Sequence, residues 1–387
     1  MKTNPFTASC LLAAGALLSS CATIEETTEP QPLAHVADAG LMCTQQPEGT
    51  SYAIYPQCAD GTAVGDVMPY YDSATNTTYS FFLKDIWNDA TNQRHPWYAL
   101  KTTNFYSYSP LSTGEQLSCA SATCAQDFAI GTGSVTKKGS TYYAFYTGFN
   151  PNSANCTNRK EGVMLATASA LNQPFTKNAS FGTLYAPTGQ GFDETDNFRD
   201  PYVFYDAASA TYYLLVAARQ NVAGTSRGVV AKYTSTNLTT WTYQGRLYDG
   251  GSTNFFMLEC PQLFKIGDTY YLLFADIDSK NCYYRKSTSL AGPWSLPSGN
   301  ARFDGNGFYA PKLITDQYGD HYLQAWVPRR AGSTDSGALQ WGGNLVTHKL
   351  YQLANKDLAV TMPHTLKSYL QAQPQASQSQ GRGSHHI

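Results

Sequence analysis

Residues 67–85 read as an apolar run, Val-Met-Pro-Tyr-Tyr, a polar stretch from Asp72 to Asn76, and a second run ending Tyr79-Ser80-Phe81-Phe82-Leu83. Short aromatic and β-branched runs broken by Gly, Asp, Asn or Ser predict a β-hairpin. The pattern recurs four times, as GSVTKKGSTYYAFYTGF, PYVFYDAASATYYLLVAAR, PQLFKIGDTYYLLFADI and PKLITDQYGDHYLQAWV. With Tyr79, Tyr142, Tyr212, Tyr270 and Tyr322 as markers, the steps are 63, 70, 58 and 52 residues, a loose period of the kind propeller blades give. Between the hairpins lies a third strand with a polar turn, as in WYALKTTNFYSYSP or GVVAKYTSTNLTTWTY, leaving room for a fourth, outer strand. The predicted fold class is all-β, a five-bladed β-propeller filling a domain of residues 46–368. A two-sheet sandwich would not produce the repeat, and no long segment of helical period competes with it.

The same register places candidate chemistry. Asp66 lies 13 residues before Tyr79, Asp200 lies 12 before Tyr212, and Glu259 lies 11 before Tyr270, so three acids open the first strands of blades one, three and four. First strands line the central channel, and equivalent positions on them converge near one mouth. Crowded carboxylates raise at least one pKa unless a cation or hydrogen bonds compensate. Arg199 is placed to hold Asp200 ionised, while Cys260 and Pro261 give Glu259 a less polar setting. One protonated acid beside one ionised carboxylate is what glycoside hydrolysis requires.

Composition narrows the ligand. Only 14% of residues are charged, the net charge is -2, and Tyr (28) and Phe (18) are abundant. That balance excludes nucleic acid as an expected partner and suits an uncharged carbohydrate.

The N-terminus predicts export. Residues 1–20 carry a Lys and a short apolar stretch, too short to span a membrane, in the manner of a signal peptide. Leu18-Ser19-Ser20-Cys21 resembles the bacterial lipobox, which implies lipidation at Cys21 and, with Ala22 following, an outer-membrane lipoprotein at the cell surface or the periplasmic face. Residues 21–45 then read as anchor and tether, and 369–387 as a disordered tail. Apart from Cys10 and Cys21, seven cysteines remain, an odd number that leaves at least one thiol free within a chain. Cys43 with Cys58, and Cys119 with Cys124, close short loops and are the candidate disulfides.

Asp66 in VGDVMPYYD, FRDP at 198–201, ECPQLF at 259–264, FDGNGFYAPK at 303–312 and WGGNL at 341–345 resemble, in order, the motifs of glycoside hydrolase family 32, the β-fructosidases. The resemblance implies retaining release or transfer of terminal β-fructofuranosyl units from sucrose or fructans through a fructosyl-aspartate intermediate. By that resemblance Asp66 is the nucleophile, Glu259 the general acid/base and Asp200 the residue that binds fructose hydroxyls, with no metal or organic cofactor. The family's first motif reads Trp-Met-Asn-Asp-Pro-Asn-Gly. Here Gly65 precedes the acid and Val67-Met68-Pro69 follow it, which predicts loss of a donor beside Asp66 and a reshaped sugar pocket. The residues after 365 leave no room for the C-terminal β-sandwich common in the family, so a bare propeller, acting as a monomer, is expected.

Five further residues are candidates for substrate contact besides Arg199. Trp87, His95 and Trp97 follow the first hairpin, where aromatic faces and imidazoles stack on or bond to sugars; Ser134 matches a family position near the channel, and Tyr309 opens blade five. Each also has a plain packing role as the alternative, and Trp341 is expected to close the last blade. Two other functions compete with the first: a non-hydrolytic carbohydrate-binding lipoprotein, and hydrolysis of another furanoside such as an arabinofuranoside.

Overall fold

A computed structural model describes residues 43–44, 56–58, 62–85, 94–112, 114–299 and 307–372. The signal segment, Cys21, most of the tether, Trp87 and the chain beyond residue 372 lie outside the described residues.

Five antiparallel meanders follow one another as the hairpin repeat predicts. Their innermost strands are Ala63–Asp72, Ala129–Lys138, Phe198–Asp206, Glu259–Ile266 and Tyr309–Thr315, each paired with the next strand in sequence. Blades two and three have four strands, but the outer edge of blade four is reduced to a bridge between Lys286 and Ser295. The long strand Leu339–Gln352 of blade five pairs at Gly343 with Val64 of blade one and so joins the last sheet to the first.

Each blade is covered on both faces, so its central strand is apolar without alternation. Leu214 to Ala218 are each 0% exposed, which a one-sided sheet could not achieve. The core is accordingly a set of layers between blades. Phe145 and Leu165 of blade two meet Phe198 and Tyr233 of blade three, and Leu215 and Val230 of blade three meet Leu263 and Phe274 of blade four. Each such side chain contributes about 1.5–3 kcal/mol of burial, enough in sum to hold the inner strands in fixed register.

Two expectations about the periphery need correction. Cys124 is bonded to Cys156, with the Cα atoms 5.3 Å apart, rather than to Cys119. The Cys119 thiol instead donates to the Arg94 carbonyl, and burial pushes it up to about 12. Cys43 and Cys58 do stand directly opposite each other in a two-stranded ladder. At the C-terminal end, helix His364–Ala372 takes in the first residues assigned to the tail, because Tyr369 stacks on Tyr106 at 4.5 Å.

Candidate active site

Every inner strand is broken at the same place. Between Val64 and Val67, Ile130 and Gly133, Arg199 and Tyr202, Glu259 and Gln262, and Tyr309 and Lys312, two residues face one on the neighbouring strand. Such a bulge bends the strand and re-aims its side chains. The five bulges form a ring around the channel, and the three acids stand on it one slot apart. Glu259 is the residue before its bulge, Asp200 the first bulged residue, and Asp66 the second. The register read from the tyrosine markers treated these positions as equivalent; the first bulged residues Gly65, Asp200 and Cys260 lie 14, 12 and 10 residues before those markers, so unequal hairpin lengths hid the slots.

The first bulged residue is left-handed in three blades, with φ of 59° at Asp200, 49° at Cys260 and 52° at Ala310. A side chain held there costs on the order of 1–3 kcal/mol, a strain that the packed strands on either side sustain.

Cys260 ties the acids together. Its amide donates to Asp200 Oδ2 at 2.9 Å, and its Sγ lies 3.6 Å from Asp66 Oδ2 and 3.7 Å from Asp200 Oδ2. Burial, then the two aspartates, push its thiol far above the usual range and keep it protonated. Asp66 also accepts from the Thr132 hydroxyl, a short bond, and from Trp326 Nε1 at 2.8 Å. Thr132 is in turn linked through Thr147 Oγ1 to the Asp200 amide, so one chain of hydrogen bonds runs from blade one to blade three. Donors to Asp66 are therefore present, supplied by blades two and five in place of the neighbour that the sequence lacks.

Asp66 keeps partial solvent access but is enclosed by protein. Burial pushes its pKa up, the bonds from Thr132 and Trp326 pull it back, Glu259 raises it again and Lys312 lowers it. Asp200 is 4% exposed, and burial pushes it up to about 7 against the pull of Arg199. Glu259 is gripped at both oxygens: Arg199 Nη2 is 2.6 Å from Oε1, and the Tyr309 hydroxyl makes a short bond to Oε2.

Arg199 does not neutralise Asp200 as expected. Its guanidinium pairs with Glu259 and, at 3.2 Å, with Glu161, because adjacent residues of a strand point opposite ways. Glu161 was missed by sequence reasoning. It opens strand Glu161–Ala168 as the one acid in EGVMLATA, and that isolation in an apolar strand is the signal that marks it. Thr132, Trp326 and Lys312 were also missed: Thr132 and Trp326 carry no local motif of their own, and Lys312 ends the FDGNGFYAPK motif without having been singled out.

The other candidates separate. Tyr309 joins the site through Glu259. His95 is buried, with its ring 4.9 Å from Trp341, whose ring lies 6.2 Å from Trp326; it belongs to the aromatic wall behind Asp66. Trp97 is not a ligand contact, being 0% exposed with Nε1 donating to the Gly131 carbonyl. Ser134 accepts from the Val203 amide and lines a cavity of about 220 Å³ further along the channel, away from the acids. Trp341 seats on Gly65 of blade one, as a closing residue should. A Cβ on Gly65 would stand 2.3 Å from Trp341 Cζ2, so only glycine fits beneath the ring.

Gly65→Ala should therefore lower stability by about 1–3 kcal/mol through overpacking and, by shifting Asp66, reduce kcat/KM by roughly 100-fold. Thermal unfolding and steady-state kinetics on one sample test both parts. Unchanged values would mean that Trp341 yields freely.

Comparison with known proteins adds family context. The model of the glycosyl hydrolases family 32 N-terminal domain matches residues 71–361, a range that holds Arg199, Asp200 and Glu259 and begins just after Asp66. The chain is 30% identical over 192 residues to sucrose-6-phosphate hydrolase of Vibrio alginolyticus, covering 45% of this chain and 38% of that protein. It is 27% identical over 161 residues to raffinose invertase of Escherichia coli, covering 38% and 33%. Its fold is similar to that of sucrose-6-phosphate hydrolase from Lactobacillus gasseri, with a TM-score of 0.62 at 20% identity over 79% of this chain and 62% of that one. Fructan 1-exohydrolase IIa from Cichorium intybus gives a TM-score of 0.61 at 18% identity over 79% and 61%. The chain thus spans less than half the length of the curated relatives it matches.

Proposed function

Because this chain belongs to glycosyl hydrolases family 32, we propose that it is a retaining β-fructosidase acting on sucrose or a fructan. The observation that carries this reading is the dipeptide Glu259-Cys260, around which Asp66, Asp200 and Glu259 gather from three blades. Asp66 attacks the anomeric carbon as the bond to the leaving oxygen breaks, and Glu259 delivers the proton that oxygen takes. A water deprotonated by Glu259 then displaces the Asp66 ester, releasing fructose and restoring both groups. A second sugar in place of water gives transfer.

Geometry supports the roles of the two aspartates. Both Asp66 oxygens are oriented by donors: Oδ2 meets Thr132 and the Cys260 thiol, while Oδ1 takes Trp326 alone and retains a further lone pair for bonding. Asp200 Oδ2 is occupied by Cys260, while Oδ1 has no protein hydrogen bond among the described residues and is free for a sugar hydroxyl. In the aromatic wall behind the nucleophile Trp326 and His95 are buried, and Trp341 keeps the partial exposure a sugar face needs.

The test is fructose release from sucrose, raffinose, inulin and levan, with arabinan as the competing furanoside. Fructose from any of the first four supports the reading. Arabinose alone would replace it with an arabinofuranosidase, and binding without cleavage would replace it with a lectin-like role.

The N-terminal sequence supports export and lipid anchoring through Cys21, with the propeller acting as a monomer in which one chain supplies every acid named. Incorporation of an alkyne-tagged fatty acid in cells should be lost in Cys21→Ala; labelling that persists would refute the anchor.

A further inference from the structure

Lys312 is an unusual residue to find on the bulge ring. It directly follows the blade-five bulge, is 2% exposed, and ranks among the largest fully buried side chains of the protein. Its Nζ makes one long hydrogen bond, 3.4 Å to the Cys260 carbonyl, and lies 5.7 Å from the Tyr202 ring centre. Among the described residues no carboxylate comes within ion-pair distance of it. A buried ammonium without a direct partner is costly unless a local excess of negative charge offsets it.

That excess is present. Asp66 of blade one lies 3.6 Å from the thiol of Cys260, the blade-four residue whose carbonyl holds the lysine, and the lysine's charge lowers the pKa of Asp66; Glu161 stands in the same network on blade two, Asp200 and Tyr202 on blade three, Glu259 on blade four, and Tyr309 on blade five. Against four carboxylates the cluster otherwise holds one cation, Arg199, and that one is committed to Glu161 and Glu259. The two aspartates have only neutral donors: Thr132, Trp326 and Cys260.

We propose that Lys312 is a positioning residue of the proposed reaction, the second cation of the cluster, which acts from beneath the bulge ring to keep Asp66 ionised and able to attack. Its ammonium is held on the Cys260 carbonyl, and its side chain lines the cavity it shares with Ser134, which none of the acids lines. Placed there, it offsets the repulsion that Asp200 and Glu259 exert on Asp66 without forming an ion pair that would withdraw the nucleophile's electrons. This inference rests on the fructosidase reading for its kinetic part but has a consequence that needs no activity.

The experiment compares the natural protein with Lys312→Met and Lys312→Gln across pH 4–8. With sucrose or the best panel sugar, the acid limb of kcat/KM should move up by about one pH unit in both variants, because the lost cation lets Asp66 hold its proton longer. Lys312→Arg, which keeps the charge, should leave the limb in place. Thermal unfolding supplies the second readout. Carboxylates that hold protons more tightly in the folded state lose stability as pH rises, so the deficit of the Met and Gln variants should grow from pH 5 to pH 8. An unmoved limb, or an equal deficit at pH 5 and 8, including failure to fold at both, would overturn the proposal and leave Lys312 a packing residue. If the natural protein cleaves no panel sugar, the fructosidase reading fails and the unfolding data alone decide the electrostatic role.

Discussion

Asp66→Asn should abolish fructose release, with kcat falling by roughly 10,000-fold or more, while the protein folds and still binds sugar. The size of the loss follows from chemistry: an amide cannot form the ester that divides the displacement into two steps. The selectivity of the loss follows from geometry. The Asn oxygen can still accept from Trp326 Nε1 or from Thr132, which hold the present carboxylate. Removing an acid whose pKa burial has already pushed up also relieves a cost of folding at neutral pH. The expected profile is a lost kcat, a substrate Kd within a few-fold of the natural protein by calorimetry, and an unchanged or raised Tm. Residual turnover within about tenfold of the natural protein would remove Asp66 from its role as nucleophile.

Asp200→Asn should separate stability from activity most sharply. Burial pushes Asp200 up to about 7, above its ordinary carboxylate value. The folded state therefore binds that proton more tightly than the unfolded chain, and the stability the group contributes at low pH is lost as pH rises from about 4 through about 7. Asparagine escapes this loss. The variant should equal the natural protein near pH 4 and exceed it by roughly 1–4 kcal/mol at pH 8, read by denaturant unfolding at each pH. Activity should fall about 100- to 1000-fold, as when a positioned group that stabilises the transition state is removed. A variant less stable than the natural protein at pH 8 would show that the carboxylate is well solvated or well paired there, contrary to its 4% exposure.

The blades were legible because their strands obey a simple rule: hairpin turns rich in polar residues and glycine separate runs that must be apolar on both faces. The three acids were legible for the same reason, since each interrupts the apolar start of an inner strand. Their exact slots were not. A bulge leaves little local trace, and here its left-handed residue is Asp200, Cys260 or Ala310 rather than the glycine that would announce it. Partners contributed by other blades were equally hidden. Thr132 and Trp326 reach Asp66 from 66 and 260 residues away in sequence, and Cys156 reaches Cys124 across a separation of 32. Trp97 misled because an indole that can stack on sugar can equally fill a core; its place 0% exposed between blades decided the matter. Arg199 misled because adjacency in sequence was taken for contact, whereas strand geometry sends it to Glu161 and Glu259.

The central claim is double displacement at Asp66 with retention at the fructosyl carbon. It is tested most directly by letting the full chain act on sucrose or its preferred fructan in dilute methanol and identifying the first-formed glycoside by NMR. Methyl β-fructofuranoside, absent when Asp66→Asn replaces the natural chain, is the predicted product. The α-anomer would contradict the account, as would β-product from the Asn variant.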